Sequence, residues 1–466
     1  MSAASSHSSS ENSNHLSQPS PQTAVTGKAL MVWAAAVLLY VIAITGRTSF
    51  GVAGVEAIQR FHVDASRTAV FTAVQVGVYA LAQIPTGILI DRFGPRRLLL
   101  FGALCMGFGQ IVLGFSSSYG VALIARVLIG AGDATAFLSV MRLLPLWFPL
   151  RKTPIFSQLS ASIGQLGQFI SAVPFLALLH TAGWTWSFLS LGAVGILVAM
   201  AAAILVDDAP DSADNRGKRP LLQHTSSQAH STTSHPTKKL RVKVGLRSQM
   251  KKVTSQAVCW QAFFTHYTGI LPQLIFTMLW GMPLMTMGMG LSSAQAGLIL
   301  TINTIGSIIF GPVMGFVSAR LGQHRDIAGI IAASGMTVAW LFFFYPTTPR
   351  GFFGVFLISI VTAACTPVSN FGFDYVREEL SPTIVATGTG LGNMGGFLAG
   401  MITTQLFGFL LDAAATHTTY TWHDFRFAWL SVTGMWFIGM MGLIIARRRR
   451  RASAPCAVRY IERSEG

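Results

Sequence analysis

Residues 87–97 read Gly87-Ile-Leu-Ile-Asp91-Arg92-Phe-Gly94-Pro95-Arg96-Arg97, and they interrupt two long apolar runs. Glycines at such a break allow close helix approach and a tight turn. An aspartate there can face a helix N-terminus, where negative charge is favoured by about 0.3–1 kcal/mol. A loop that only oriented the chain by its positive charge would need the arginines, but not glycines and an acid at fixed spacing. A related text, Gly315-Phe-Val-Ser-Ala319-Arg320-Leu-Gly322-Gln-His-Arg325, recurs in the second half. Gly87 lies 58 residues after Ala29 and Gly315 lies 55 after Trp260, so each closes the second apolar segment of its half.

Working outward, the chain has 466 residues, 52% hydrophobic and 11% charged. Soluble domains carry about 25% charged residues, so this composition excludes a soluble or disordered protein. Crossing a bilayer takes about 20 apolar residues per helix. The first apolar run extends from Ala29 to about Ile58 and is too long for the core of a signal peptide. Further segments lie near 68–90, 97–115, 119–147, 154–179 and 184–206. After a polar interval come 260–288, 292–318, 326–346, 352–374, 383–411 and 426–446. The predicted fold is an all-α membrane protein of twelve transmembrane helices in two pseudo-symmetric six-helix bundles. The expected divisions are a polar tail at 1–27, bundles at 28–206 and 259–446, a linker loop at 207–258 and a basic tail at 447–466. Two parallel six-helix halves are a transporter architecture, with the solute site near the midplane between them.

Charge sets the orientation. With the N-terminal side cytoplasmic, 27 of the 33 lysines and arginines fall on that side and 4 on the other, while Arg47 and Arg126 remain inside the membrane. The asymmetry is that of the positive-inside rule. It places both termini in the cytoplasm. It also accounts for the net charge of +16 without a nucleic-acid partner.

These features resemble the major facilitator superfamily over about residues 29–446. Residues 87–97 are similar to its loop 2–3 signature, G-x-L-x-D-R-x-G-R-R, with Pro95 in place of the first basic residue after the glycine. The resemblance implies that Gly87, Asp91, Arg92, Gly94, Arg96 and Arg97 latch the cytoplasmic side and part during alternating access. Ala319 stands where Asp91 does in the second copy, so a weaker latch is expected there.

Three charges lie within apolar helices. Asp133 follows Arg126 by seven residues, two turns on and on the same face of helix 4. An arginine or aspartate at mid-membrane costs about 2.5–3.5 kcal/mol on insertion scales, so it normally faces a cavity or a partner. Either the pair carries a proton, with Arg126 tuning Asp133, or it is a structural ion pair. Arg47 in helix 1 is either an anion-binding guanidinium or an arginine reaching for the outer surface; the apolar run Phe50 to Val55 beyond it favours burial. Arg126-Val-Leu-Ile-Gly130 resembles the R-x-x-x-G signature of proton-coupled members. With Asp133-Ala-Thr-Ala-Phe137 and Trp147-Phe-Pro149, it is most similar to the anion:cation symporter-like branch of bacterial nitrate and organic-anion permeases. Nitrate porters proper carry arginines in helices 2 and 8, which are uncharged here within the apolar core. The branch usually has an acid before the helix 1 arginine. Here that residue is Gly46, which removes one expected protonation site.

Polar side chains inside the helices are candidates for the cavity wall or for interhelical glue. Gln75, Tyr79 and Gln83 form one stripe on helix 2. Gln165 and Gln168 lie in helix 5, His266, Tyr267 and Gln273 in helix 7, and Asn303, Asn370 and Asn393 in helices 8, 10 and 11. Arg47, Tyr79, Gln165, His266 and Asn303 are the expected solute contacts, and Arg126 and Asp133 the expected proton-coupling pair. The many small residues of Thr387 to Gly396 permit close helix contact. No metal or other cofactor is expected: the cysteines are scattered, and His224, His230 and His235 sit in low-complexity sequence. The expected driving force is the proton gradient, and the expected partners are a small solute, protons and the lipid bilayer. The leading expectation is a monomeric, proton-coupled importer of a small organic anion in the plasma membrane. Proton-driven efflux of a drug or metabolite is the alternative, and a non-transporting membrane sensor is an alternative of another class. No nucleophile, metal cluster or phosphate loop suggests an enzyme.

Overall fold

The computed structural model describes residues 25–63, 65–210, 246–415 and 420–453. The expectations for the polar tail up to residue 24, for the loop histidines at 224, 230 and 235, and for the basic tail after 453 lie outside the described residues.

Every regular element among the described residues is helical. Ten helical stretches are long and apolar enough to cross a membrane. Two of them, Leu150–Leu205 and Ser293–Phe344, run to 56 and 52 residues. At about 1.5 Å per residue each is roughly twice the length one crossing needs. The backbone reverses inside both, at Gly183 (φ 76°) and Gly322 (φ 50°). Positive φ of this kind is glycine's territory, and the two reversals divide ten stretches into twelve crossing segments. We number them α1 (Gly27–Val52), α2 (Ala65–Phe93), α3 (Pro95–Phe115), α4 (Tyr119–Trp147), α5 (153–182), α6 (184–205), α7 (Ala257–Gly288), α8 (Ser293–Leu321), α9 (Arg325–Phe344), α10 (Gly351–Glu379), α11 (Val385–Ala414) and α12 (Trp422–Ser453).

The first segment is shorter than its apolar run. α1 stops at Val52, and Gly54–Phe61 forms a separate amphipathic helix that buries Ala57 and Phe61. Gly51 and Gly54 weaken the helix at that point, and the ring contact of Phe61 with Phe71 (5.4 Å) and Trp184 (5.5 Å) holds the new direction. Prolines disturb two other segments. α5 widens to a π turn at Ser171–Phe175 around Pro174, and α7 does so at Phe276–Trp280 and Leu284–Gly288, after Pro272 and Pro283. Proline lacks the N–H that would close the ladder, and a wider turn accommodates it.

The apolar side chains gather into two large cores. One is drawn from residues 29–206 with Phe373 and Ala386 added, the other from residues 253–443. Between them α2 packs on α11 and α5 on α8. The backbones nearly touch at these seams. A Cβ on Gly87 would lie 2.6 Å from the Ala386 carbonyl oxygen, and one on Gly390 would collide with the Gln83 carbonyl oxygen. The small-residue run of α11 thus serves the close approach its composition suggested.

Candidate functional site

The face that carries residues 87–97 is closed. Asp91 ends α2, and its Oδ1 accepts from the Ala386 N–H (3.0 Å). Its Oδ2 accepts from the Thr387 N–H (2.8 Å) and hydroxyl (2.6 Å). Those N–H groups belong to the first turn of α11, where no intrahelical acceptor exists and the helix dipole favours an anion. Arg142 of α4 stands 3.7 Å from the Asp91 carboxylate and donates to the Pro382 carbonyl (2.6 Å). Gln249, on the short helix Leu246–Thr254, adds a bond to the Thr387 hydroxyl (3.1 Å). The rest of the motif works within the first half. Gly94 turns the chain at φ 91° against Asp208. Arg96 donates to the Ala203 carbonyl (2.6 Å) and to Asp207 (3.3 Å). Arg92 and Arg97 are exposed, Arg92 lying over the Phe93 ring (5.2 Å).

The second-half copy is tied differently. Ser318 donates to Asp374 Oδ2 (2.5 Å), and Arg377 pairs with the same carboxylate. Arg377 then donates across the seam to Ser157 (3.4 Å). The connection lacking at Ala319 is therefore supplied from α10.

Deeper in, between the halves, lies a cavity of about 490 Å³, within the usual range for small-molecule sites. Gln158 of α5 donates to the Pro367 carbonyl (2.6 Å) and accepts from Asn370 (3.1 Å), closing it toward the motif face. Arg47 of α1 lies on its wall, with Asp133 of α4 directly behind. Arg47 Nε donates to Asp133 Oδ2 (2.6 Å) and Nη2 to Oδ1 (2.9 Å), a bidentate pair. Asp133 is 1% exposed, so Arg47 screens it from the cavity. The Arg47 guanidinium also stacks over the Tyr79 ring (4.4 Å) and faces that of Phe397 (5.6 Å).

Arg126 departs from the expected pairing. Both Asp133 oxygens are taken by Arg47, and seven residues on one helix amount to about 10 Å of rise, whereas α1 brings Arg47 in at the level of Asp133. Arg126, 1% exposed, points to the cavity, lies over the Phe50 ring (4.6 Å) and donates weakly to the Phe71 carbonyl (3.4 Å). Its Nη1 has no hydrogen-bond partner among the described residues. The buried amide of Gln75, also on this wall, is likewise unpaired.

Among the other expected contacts, Tyr79, Gln165 and His266 lie on the wall. The Tyr79 hydroxyl accepts from Asn393 (3.0 Å), which also donates to Gln83 (2.9 Å), so this residue belongs to the seam between α2 and α11 as well. Gln165 accepts from Gln168 (2.5 Å), and the His266 ring lies 5.1 Å from that of Phe373. Asn303 is not on the wall. It is fully buried, and it donates to the Ser359 carbonyl (3.0 Å) while accepting from Gln273 (2.6 Å). Sequence reading overlooked Gln158 and Tyr40, which also line the cavity. Gln158 had a legible signal, an amide in an apolar helix; Tyr40, an aromatic in an apolar run, had none. Among the described residues no three His, Cys, Asp or Glu side chains converge as metal ligands.

Comparison with known proteins adds a family. The model for the Major Facilitator Superfamily matches residues 36–404. A probable sulfoacetate transporter of Cupriavidus necator is 22% identical over 388 residues, 82% of this chain and 86% of that one. A putative tartrate transporter of Agrobacterium vitis is 23% identical over 407 residues, 82% of this chain and 83% of that one. The crystal structure of the Escherichia coli fucose:proton symporter superposes with a TM-score of 0.60 at 14% identity, covering 90% of this chain and 99% of that one.

Proposed function

The chain belongs to the major facilitator superfamily, and we propose that it imports a small organic anion together with a proton. It is a multi-pass membrane transporter, not an enzyme, and its partner is a small solute. The observation that carries the anion reading is the Arg47–Asp133 pair set behind a cavity that Arg126 also faces with an unpaired nitrogen. Relatives named for sulfoacetate and tartrate transport support the same solute class.

The proposed cycle follows from charge. With Asp133 ionised, Arg47 is neutralised and only Arg126 offers uncompensated charge. A proton arriving through the cavity converts the carboxylate to a neutral acid, and the bidentate pair loses its ionic component. Arg47 then turns its two donors toward the cavity, where a carboxylate of the solute takes them beside Arg126. The loaded site closes, and the Asp91 contacts with α11 break as the motif face opens. The anion leaves, the proton follows, and Arg47 returns to Asp133. The halves that rock are residues 28–206 and 259–446, joined by 207–258. We place the motif face and both chain ends in the cytoplasm and the carrier in the plasma membrane, because the basic residues gather on that face.

The test uses purified protein in liposomes loaded with a pH dye. Under an inward proton gradient, added sugar acids or monocarboxylates are expected to acidify the lumen, and Arg47→Ala or Asp133→Asn to abolish the response. Alkalinisation of an acid lumen by a lipophilic cation, unaffected by Arg47→Ala, would replace this reading with proton-driven efflux.

A further inference from the structure

We propose that Gln273, held in one orientation by Asn303, recognises a hydroxyl group on the carried anion, so that the site prefers hydroxylated organic anions to unsubstituted ones of the same skeleton. The inference rests on the organic-anion reading above and makes it narrower.

A chain of two hydrogen bonds, linking three residues, carries it. The Ser359 carbonyl can only accept, so the group of Asn303 that meets it at 3.0 Å must be the amide nitrogen. The Asn303 oxygen is then directed at Gln273, which must donate through its own amide nitrogen at 2.6 Å. That leaves Gln273 Oε1 as the free end of the chain. Gln273 is on the cavity wall, and this oxygen is buried with no donor among the described residues. A buried acceptor without a partner is uncommon in native structures and calls for one. One helical turn beyond Asn303 on α8, the Ser307 hydroxyl is in the same condition, buried, unpaired and on the same wall.

The two sides of the cavity therefore ask for different chemistry. The first half supplies Arg47 and Arg126, which attract an anionic group. The second half supplies an acceptor oxygen and a hydroxyl. A second carboxylate directed at Gln273 would meet oxygen with oxygen, and a methylene would leave the acceptor unpaired. A hydroxyl donates to Gln273 and can accept from Ser307. Because the amide is locked by a backbone carbonyl two residues away in the chain of bonds, it does not turn over to suit a different group.

The experiment measures uptake by the full chain in proteoliposomes for two matched pairs, tartrate with succinate and gluconate with hexanoate, together with sulfoacetate. The hydroxylated member of at least one pair is expected to be preferred tenfold or more. Gln273→Leu should bring that ratio to within about twofold, with a single monodisperse peak of the detergent-purified variant on size exclusion showing that it is folded. Asn303→Leu, acting only through Gln273, should lower the ratio as well. Ser307→Ala should reduce it by a smaller factor. Equal handling of both pairs, a preference for succinate, hexanoate or sulfoacetate, or a tenfold ratio that survives Gln273→Leu would overturn this inference and leave organic-anion transport standing. Failure of the unmodified chain to carry any of the five anions would overturn both.

Discussion

Replacing Asp133 with asparagine is the sharpest test of the proposed coupling. The substitution keeps the shape of the side chain and one acceptor oxygen but removes its charge, and with it the ionic part of the 2.6 Å and 2.9 Å pair with Arg47. In the unmodified protein, anion binding that requires Arg47 also requires a proton on Asp133. One linked proton makes affinity fall tenfold for each unit of pH above the protonation range, or about 1.4 kcal/mol per unit. The sign is fixed by the geometry: lowering pH frees Arg47 and tightens binding, and raising pH restores the pair and weakens it. In Asp133→Asn the slope should vanish, because Arg47 is free at every pH. Affinity should equal that of the unmodified protein at low pH and exceed it by about a hundredfold two units above the protonation range. Exchange of anion across the membrane should survive, whereas accumulation driven by a proton gradient should not. The assay is equilibrium binding of a transported anion to detergent-purified protein at several pH values, paired with exchange and gradient-driven uptake in liposomes. A variant that still loses tenfold in affinity per pH unit would show that the proton is held elsewhere, and the mechanism built on this pair would fail.

Other consequences can be checked alongside it. Among the described residues Asp133 is the one carboxylate paired with a cavity-lining side chain, so each anion should be accompanied by a single proton. A reversal-potential measurement that returned two protons would contradict this. Arg126→Leu removes a buried guanidinium that lines the cavity and has an unpaired nitrogen, and it should weaken anion binding by about ten- to a hundredfold, the scale of a charge-assisted hydrogen bond; binding within threefold of normal would remove Arg126 from the site. Asp91→Ala deletes three hydrogen bonds between α2 and the start of α11, each about 1.5–3 kcal/mol when charge-assisted. Spin-label distances across the motif face should shift toward an open population, and an unchanged distribution would deny the latch. Gly87→Val places a Cβ at 2.6 Å from a carbonyl oxygen of α11, so it should also prevent closure of that face and suppress transport even in a variant that inserts normally in the membrane.

The chain's own text determined the all-helical membrane fold and the family. Apolar run length, the position of turn glycines and the distribution of arginine are properties of single segments, and a bilayer acts on each segment separately. The same locality made Asp91 legible, since its partners are the first-turn amides that any helix start presents. The charged pairing was another matter. The sequence placed Arg126 and Asp133 on one helix face, and only the packing of α1 against α4 decided that Asp133 is held by Arg47, 86 residues away. Asn303 shows the same limit at a polar site: its identity marked it as functional, but its depth put it behind Gln273, as a support and not a contact. Helical rotation and depth are set by how neighbouring helices fit together, and a shift of one residue turns a side chain by about 100°, enough to exchange a place on the wall for one behind it.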